Sequence, residues 1–484
     1  MSTIVSPPPT RAVHTYATAA SWLETWSDLR EQGWETVLLD AHQGVEALLM
    51  GPPGRDRDAH RSPLVSLRLA AEPAPQRPAS PSGLDILETL DAEMRIAGEE
   101  PDLGWQAPTS VPVRGKGLFV YPLGPARADV AESLLYRLVV MGDEIVQLDL
   151  SPHFKRRHIR QLVRGRSLLD ALPIIARFTT TSNVHHTLAL AMAAEAAWDV
   201  PAHPDAAATR VLLAELERAV SHLGDLAALA ASTGLTVPQM EYLHLKETLL
   251  RVNFALFGHR YLRGMVCPGG LNASALPVDA DPVPAAESVR DILRSASAIA
   301  GQLAHTPSFL DRLYGAGVVP PSAIRQLRPV GPVGRASGLA LDVRQRLSYA
   351  DYPPDLRVPV LSRADAYARF RVRVDELEQS LDLVLSRLSA WDPARLSHLA
   401  VDARAFSGPP RSAQGVGVVE APRGLLAYRL VLDADSGRLD HLGVATPSAR
   451  NWPVVPVAVA NGNILQDFPI IDASFGLSVA GWDS

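Results

Sequence analysis

The chain has 484 residues, 47% of them hydrophobic and 20% charged, which describes globular protein long enough for more than one domain. Its formal net charge is −6, so no overall electrostatic attraction to nucleic acid is expected. A single cysteine, Cys267, excludes an intrachain disulfide, a four-thiolate metal site and any iron–sulfur cluster held by this chain alone.

The first segment, "MSTIVSPPPTR", lacks a basic stretch followed by an apolar one, so no secretory signal and a cytoplasmic location are expected. Residues 1–105 read as a small mixed α/β domain. Within it "AASWLETWSDLREQGW" has helical spacing, "ETVLLDAH" is strand-like, and "AAEPAPQRPASPSG" is a proline-rich loop. A larger unit spans 106–484. It opens with extended segments, "GLFVYPLGP" and "SLLYRLVVMGDEIVQLDL", the "GDE" marking a hairpin turn. From His153 to about residue 265 the pattern is helical. In "DAAATRVLLAELERAVSHLGDLAALAAS" Leu212, Leu216, Val220, Leu223 and Ala227 form an apolar stripe, and Gly234 ends the helix. Glu215, Arg218, His222 and Asp225 form a polar stripe, either a solvated salt-bridged face or one turned toward partners or water-filled paths. "RVDELEQSLDLVLSRLSA" is a further helix, and "GVGVVEAPRGLLAYRLVLDADSGRLDHLGV" returns to strands. No apolar run approaches the roughly 18 residues of a membrane span, and "LALAMAAEAAW" and "VVPVAVA" read as buried core.

The stretch "FTTTSNVHH", Phe178 to His186, carries the densest chemistry. Hydroxyls just before a helix are what N-capping requires, because they accept hydrogen bonds from orphan backbone N–H groups. A Thr or Ser nucleophile needs a base, which His185 or His186 can offer, and a third orienting group that the sequence does not identify. His185, His186, Glu195 and His222 are conceivable metal ligands, yet adjacent helical histidines point about 100° apart. "HFKRRHIRQLVRGR" reads as a solvated basic helix face or one that meets acidic partner surfaces, and Cys267 as a small buried hydrophobe. "NWPVVPVAVANGN" reads as a packed strand and turn.

Several ordered blocks carry a resemblance: "ARFTTTSNVHHTLALAMAAEAAWDVP", "RVLLAELERAVSHLGDLA", "FGHRYLRGMVCPGG", "VEAPRGLLAYRL", "NWPVVPVAVANGN" and "DFPIIDASFGLS". Residues 112 to 484 resemble the large subunit of energy-converting nickel–iron hydrogenases, including formate hydrogenlyase, and the homologous quinone-site subunit of respiratory complex I, the forty-nine-kilodalton subunit. The resemblance implies an α+β, predominantly helical, hydrogenase-large-subunit-like domain. The N-terminal domain then sits where a complex-I-like accessory domain (the thirty-kilodalton type) is fused. Such hydrogenases hold nickel and iron with two C-x-x-C pairs, because soft thiolates suit those metals. The matching positions here are Thr179, Ser182, Ser478 and Gly481, so the resemblance implies a cleft without its metal ligands. The quinone-site tyrosine of the complex I subunit falls on Thr180. Its histidine falls within Ala126 to Ala131, where there is none, and a glutamate of that family falls on Ile159. Arg177, Thr180, His185 and His186 are the expected cleft-lining residues, with Arg177 a buried cation in need of a partner.

The expectation is a large-subunit-like component of a membrane-associated complex, a subunit of an oxidoreductase rather than a catalyst alone. No cofactor is expected on this chain. An iron–sulfur small subunit would hold the clusters, and polytopic membrane subunits would carry an ion-translocating arm at the inner face of the cell membrane. A non-redox structural subunit of the same kind of complex is the alternative, and a stand-alone Thr/Ser–His hydrolase a more distant one.

Overall fold

The computed structural model describes residues 115–126, 132–152, 154–272, 280–347, 349–392 and 403–482, and the backbone of four strands nearer the N-terminus. Those strands are β1 (Ala12–Tyr16), β2 (Glu35–Asp40), β3 (Glu46–Met50) and β4 (Leu64–Leu69). They form one sheet in the order β1-β4-β3-β2, with β1 parallel to β4 and the other pairs antiparallel. The strand read in "ETVLLDAH" is β2. The helix read just before it, the proline-rich loop and the boundary at residue 105 lie outside the described residues.

Strands β5 (Leu118–Leu123), β6 (Leu135–Met141) and β7 (Glu144–Ser151) form an antiparallel meander. The expected hairpin turn is Gly142–Asp143, where Gly142 takes the positive φ (67°) that side chains avoid. Helices α1 (Ile159–Val163), α2 (Leu168–Ile175), α3 (Asn183–Trp198), α4 (Pro204–Ser232) and α5 (Thr236–Phe257) follow. The basic run does not form one solvated helix, because α1 begins only at Ile159, after His158 at φ 51°. Proline at N1 and the His203 cap set the start of α4, and Gly234, at φ 80°, turns the chain beyond its end.

A short hairpin, β8 (Val266–Cys267) and β9 (Gly270–Leu271), leads to α6 (Pro282–Leu303). The short helices α7 (Pro307–Leu313), α8 (Pro321–Leu327), α9 (Gly331–Ala336) and α10 (Val343–Arg346) precede the long α11 (Ala366–Ala390). Its cap is Asp365, which accepts from the Ala368 N–H at 2.8 Å. Helices α4, α5, α6 and α11 pack as a bundle. Beside the bundle lies the sheet β10 (Gln414–Ala421), β11 (Gly424–Leu432) and β12 (Leu439–Ala445), with every residue of the central β11 buried.

Helix α3 lies against this sheet at backbone distance. A Cβ on Gly415 would meet the Ala193 carbonyl at 1.8 Å, and one on Gly417 the Ala189 carbonyl at 2.0 Å. The alanine run of α3 and the Gly-Val-Gly of β10 are therefore two halves of one contact, and a side chain at either glycine would push them apart.

The segment "NWPVVPVAVANGN" is helical, not a strand. It contributes to α12 (Pro447–Asn451) and α13 (Val454–Val459), ahead of α14 (Phe468–Phe475). Local caps at the helix ends oppose the strand preference of its valines. Thr446 caps α12 by accepting from the Ala449 N–H at 3.1 Å, and the Asn463 amide donates to the carbonyls of Ala458 and Val459 at the end of α13. Among the described residues, no helix is long and apolar enough to cross a membrane.

Candidate functional site

The N-terminus of α3 is buried, so water cannot satisfy its first N–H groups. The expected hydroxyl cap does not form: Ser182, at the N-cap position, makes no side-chain cap bond. A carboxylate from α4 takes its place. Glu217 accepts from the Val184 N–H (2.9 Å) and the Asn183 amide (2.7 Å) through Oε1. It accepts from the His185 N–H (3.1 Å) and ring Nδ1–H (2.6 Å) through Oε2. A negative charge at a helix N-terminus also complements the helix dipole, which a hydroxyl does only weakly. Around this clamp Thr179 Oγ1, Asn183 Oδ1 and His185 Nε2 are buried without a hydrogen-bond partner.

The two histidines diverge, as their spacing requires. His185 faces Glu217, whereas His186 stacks on Phe178 (ring centroids 4.6 Å apart) and places Nδ1 2.7 Å from the Tyr428 hydroxyl on β11. Burial, and after it the neighbouring His185, pulls His186 down to about 3, so it is neutral. Glu195 is tied to Arg210 (2.5 Å) and the Gly269 N–H, and His222 to Glu376, so the four conceivable metal ligands do not converge. Among the described residues no group of three or more His, Cys, Asp or Glu is arranged to hold a metal ion. Nor do the two threonines whose bonding is defined pair with a histidine. Thr179 Oγ1 has no partner and Thr181 Oγ1 accepts from Arg423, so neither engages a histidine.

Thr179, Ser182, Ser478 and Gly481 are all buried. Their two chain segments meet on one arginine. Arg423, in the β10–β11 turn, donates to Thr181 Oγ1 (2.6 Å) on one side and to the Gly476 carbonyl on the other, and its Nη2 lies 3.3 Å from Asp225. A second anchor is Glu132, whose Oε2 accepts from the Ser478 hydroxyl and the Ala480 N–H, both at 3.1 Å, and from the Val479 N–H. Its other oxygen takes Lys155 at 2.9 Å. Burial works to raise Glu132, but the lysine and these N–H groups hold its carboxyl below the usual range. The Trp452 indole N–H binds the Ser478 carbonyl at 3.1 Å, and Thr446 binds that of Gly481. Sequence reasoning missed both anchors. The "PRG" turn between two apolar strands was a usable signal for Arg423, whereas nothing local marks Glu132.

Arg177 and Thr180 are not buried cleft residues. Both are exposed, and Arg177 turns back to its own helix end, donating to the Pro173 carbonyl at 2.5 Å. An exposed guanidinium keeps its water, so the partner expected for a buried one is not required. The cation that does serve this loop is Arg157, which donates to the carbonyls of Arg177 and Phe178.

Behind the cleft, the polar stripe of α4 is interior rather than solvated: Glu215, Arg218 and His222 are fully buried. Glu215 accepts from Arg218 Nε, Arg344 Nη1, the Tyr352 hydroxyl (2.7 Å) and Ser380 (2.6 Å). Arg335 reaches Glu376 and Glu420 at 2.7 Å each and Asp342 at 3.4 Å, and Arg344 holds Asp342 at 2.8 Å. His222 Nε2 completes the chain on Glu376 at 3.0 Å. Burial alone would raise these acids. The guanidiniums of Arg218 and Arg344 overcome it at Glu215, and that of Arg335 at Glu376, and both stay far below the ordinary carboxylate range. Toward the cleft, Arg373 and Arg423 share Asp225 and donate to the Phe475 and Gly476 carbonyls, capping the negative C-terminus of α14.

Comparison with known proteins finds one family model that matches part of the chain, and several relatives. Residues 232–414 match the model for the 49-kDa subunit of the respiratory-chain NADH dehydrogenase. The carbon monoxide-induced hydrogenase of Rhodospirillum rubrum is 27% identical over 73% of this chain and 96% of that protein. A subunit of the NADH-quinone oxidoreductase of Saccharopolyspora erythraea is 28% identical over 73% of this chain and 86% of its own length. Formate hydrogenlyase subunit 5 of Escherichia coli is 26% identical, with 61% of its length covered. Among solved structures, a chain of the membrane-bound sulfane sulfur reductase, an archaeal respiratory membrane complex, superposes with a TM-score of 0.69 at 23% identity, over 76% of this chain and 99% of that one. The resemblance read from the sequence is upheld, and with it the hydrogenase-large-subunit-like, predominantly helical α+β fold.

Proposed function

We propose that this chain is the large-subunit-like component of a membrane-associated respiratory oxidoreductase and carries no nickel–iron centre. The relatedness to hydrogenase and NADH-quinone oxidoreductase subunits supports the general role. The observation that carries the specific reading is the donor set. Thr179, Ser182 and Ser478 offer hydroxyls and Gly481 offers nothing, where soft thiolates are needed. The lone thiol, Cys267, is on β8, and burial pushes it up to about 11, so it is no substitute. These residues do not fit the metal group of the family. Glu132 instead pins the segment carrying Ser478, and Lys155 pairs with it.

In this reading the chain packs on an iron–sulfur small subunit and, with polytopic membrane subunits, couples electron transfer to an ion-translocating arm at the inner face of the cell membrane. The domain of residues 1–105 is a reduced form of the thirty-kilodalton-type accessory domain. A purely structural role in the same kind of complex is the second reading, and the hydrogen bonds that fix Ser478 to Glu132 and Trp452 favour it. Purification from native membranes through an N-terminal tag, with elemental analysis of the product, tests both. The expected preparation contains an iron–sulfur protein and polytopic partners, holds no nickel, and reduces an acceptor. One nickel per chain refutes the site reading, a partner-free monomer refutes the complex, and an intact complex without electron traffic selects the structural role.

A further inference from the structure

Helix α5 buries Tyr242, Leu245, Leu249 and Leu256 and packs on α4 and α6. Its outer face is not covered by the described residues. Positions 237, 240, 244, 247, 251 and 254 recur at three- and four-residue spacing, so they share one side of the helix. Three of them turn large apolar side chains to solvent: Val237 (70% exposed), Met240 (53%) and Phe254 (59%). Tyr261, in the turn beyond the helix, is exposed as well. An apolar series on one face marks a contact surface, whereas single exposed hydrophobes do not.

The C-terminal end of this face is cationic. Glu247 takes both Arg251 and Arg260, so one carboxylate already serves two guanidiniums. The helix dipole also favours cations there, which accounts for these two. Arg263 is left over. Its guanidinium lies over the Tyr261 ring, 5.5 Å from the centroid, and its Nε is buried with no hydrogen-bond partner. Among the described residues no carboxylate pairs with it. His259 accepts from the Tyr261 N–H at 3.0 Å through Nδ1, so its ring proton is on Nε2, a further donor. Burial, and then the charges of Arg263 and Arg177, pull this imidazole below its usual range, in keeping with a surplus of positive charge. Arg177 itself turns back to the Pro173 carbonyl. The turn is fixed beside the cleft, because the Tyr261 carbonyl accepts from the Asn183 amide at 2.7 Å.

We propose that the outer face of α5 and the turn after it dock a partner protein that sets a carboxylate on Arg263 within an apolar surround. This rests on the reading of the chain as one subunit of a complex, and adds the chemistry by which a partner is recognised. Charge complementarity selects an acidic surface, because a basic one would meet three guanidiniums and a single carboxylate. A carboxylate suits Arg263, since a planar guanidinium binds it through two parallel N–H bonds. Arginine and aromatic side chains are also the groups that carry most of the energy in protein contacts.

Zero-length cross-linking tests this on the tagged full chain purified from native membranes. The chain has three lysines, Lys116, Lys155 and Lys246, so few amines compete. In Arg263→Lys a soluble carbodiimide joins the introduced amine to a touching carboxylate: an amide forms, and the carbodiimide takes up the water lost. Lys155, 2.9 Å from Glu132, supplies an internal control for the reaction. Peptide mass spectrometry should find a link from position 263 to an Asp or Glu of a different, co-purifying protein. Arg263→Glu should lower the recovery of that same protein about tenfold or more. A link confined to this chain, or to a second copy of it, overturns the proposal. So does an intact complex in which Lys155 and Glu132 are joined and position 263 is not, or undiminished recovery of the linked protein with Arg263→Glu. If Arg263→Glu does not fold, the link in Arg263→Lys decides alone. A partner-free monomer refutes the complex itself, and the docking surface with it.

Discussion

The cleft around Thr179 and Ser478 and the ionic cluster behind it are neighbours built on opposite rules. In the cleft, Thr179, Ser182, Ser478 and Gly481 offer only small neutral groups, and Thr179 Oγ1, Asn183 Oδ1 and His185 Nε2 have no partner. In the cluster each carboxylate is engaged, and one arginine, Arg335, serves three of them. A site that binds something external can lose its ligands without unfolding the protein. A buried charge network cannot lose a member without stranding the others. The fold therefore depends on the cluster, while the cleft is where chemistry is free to change.

The comparison breaks if Arg335 is dispensable. Arg335→Leu leaves Asp342, Glu376 and Glu420 facing one another, and should cost about 3–5 kcal/mol of stability by denaturant unfolding. A loss below about 1 kcal/mol would mean that the cluster is hydrated and not structural. The acid limb of stability sharpens the cleft side. His186, depressed from 6.5 to about 3, is neutral when folded, whereas the unfolded chain takes up a proton below 6.5. Its contribution is present above pH 6.5 and is lost as pH falls through that window, at about 1.4 kcal/mol per unit. His186→Gln should flatten the acid limb by one proton. The smallest effect is expected at the rim. Arg177→Leu should alter stability by less than about 0.5 kcal/mol and leave electron transfer in the assembled complex unchanged, because Arg177 is exposed and bonded only to its own helix end.

What the sequence determined by itself is local in origin. The β6–β7 hairpin, the long helices α4 and α11, the stop at Gly234 and the three C-terminal strands follow from hydrophobic period and turn residues, which act over a few positions. The missing thiols are equally legible, because a residue type is a fact of sequence wherever it lies. The tertiary structure decided which groups meet across the chain. Nothing near Ser182 says that its helix will be capped by Glu217, or that Glu132 will hold a segment more than 300 positions away. The polar spacing of Glu215, Arg218, His222 and Asp225 is the same for a solvated face as for a buried one. Only the arrival of Arg335, Arg344 and Glu376 from α9, α10 and α11 makes it interior. Propensity and periodicity are summed along the chain, whereas the desolvation and pairing of charges are settled by what packing brings beside them.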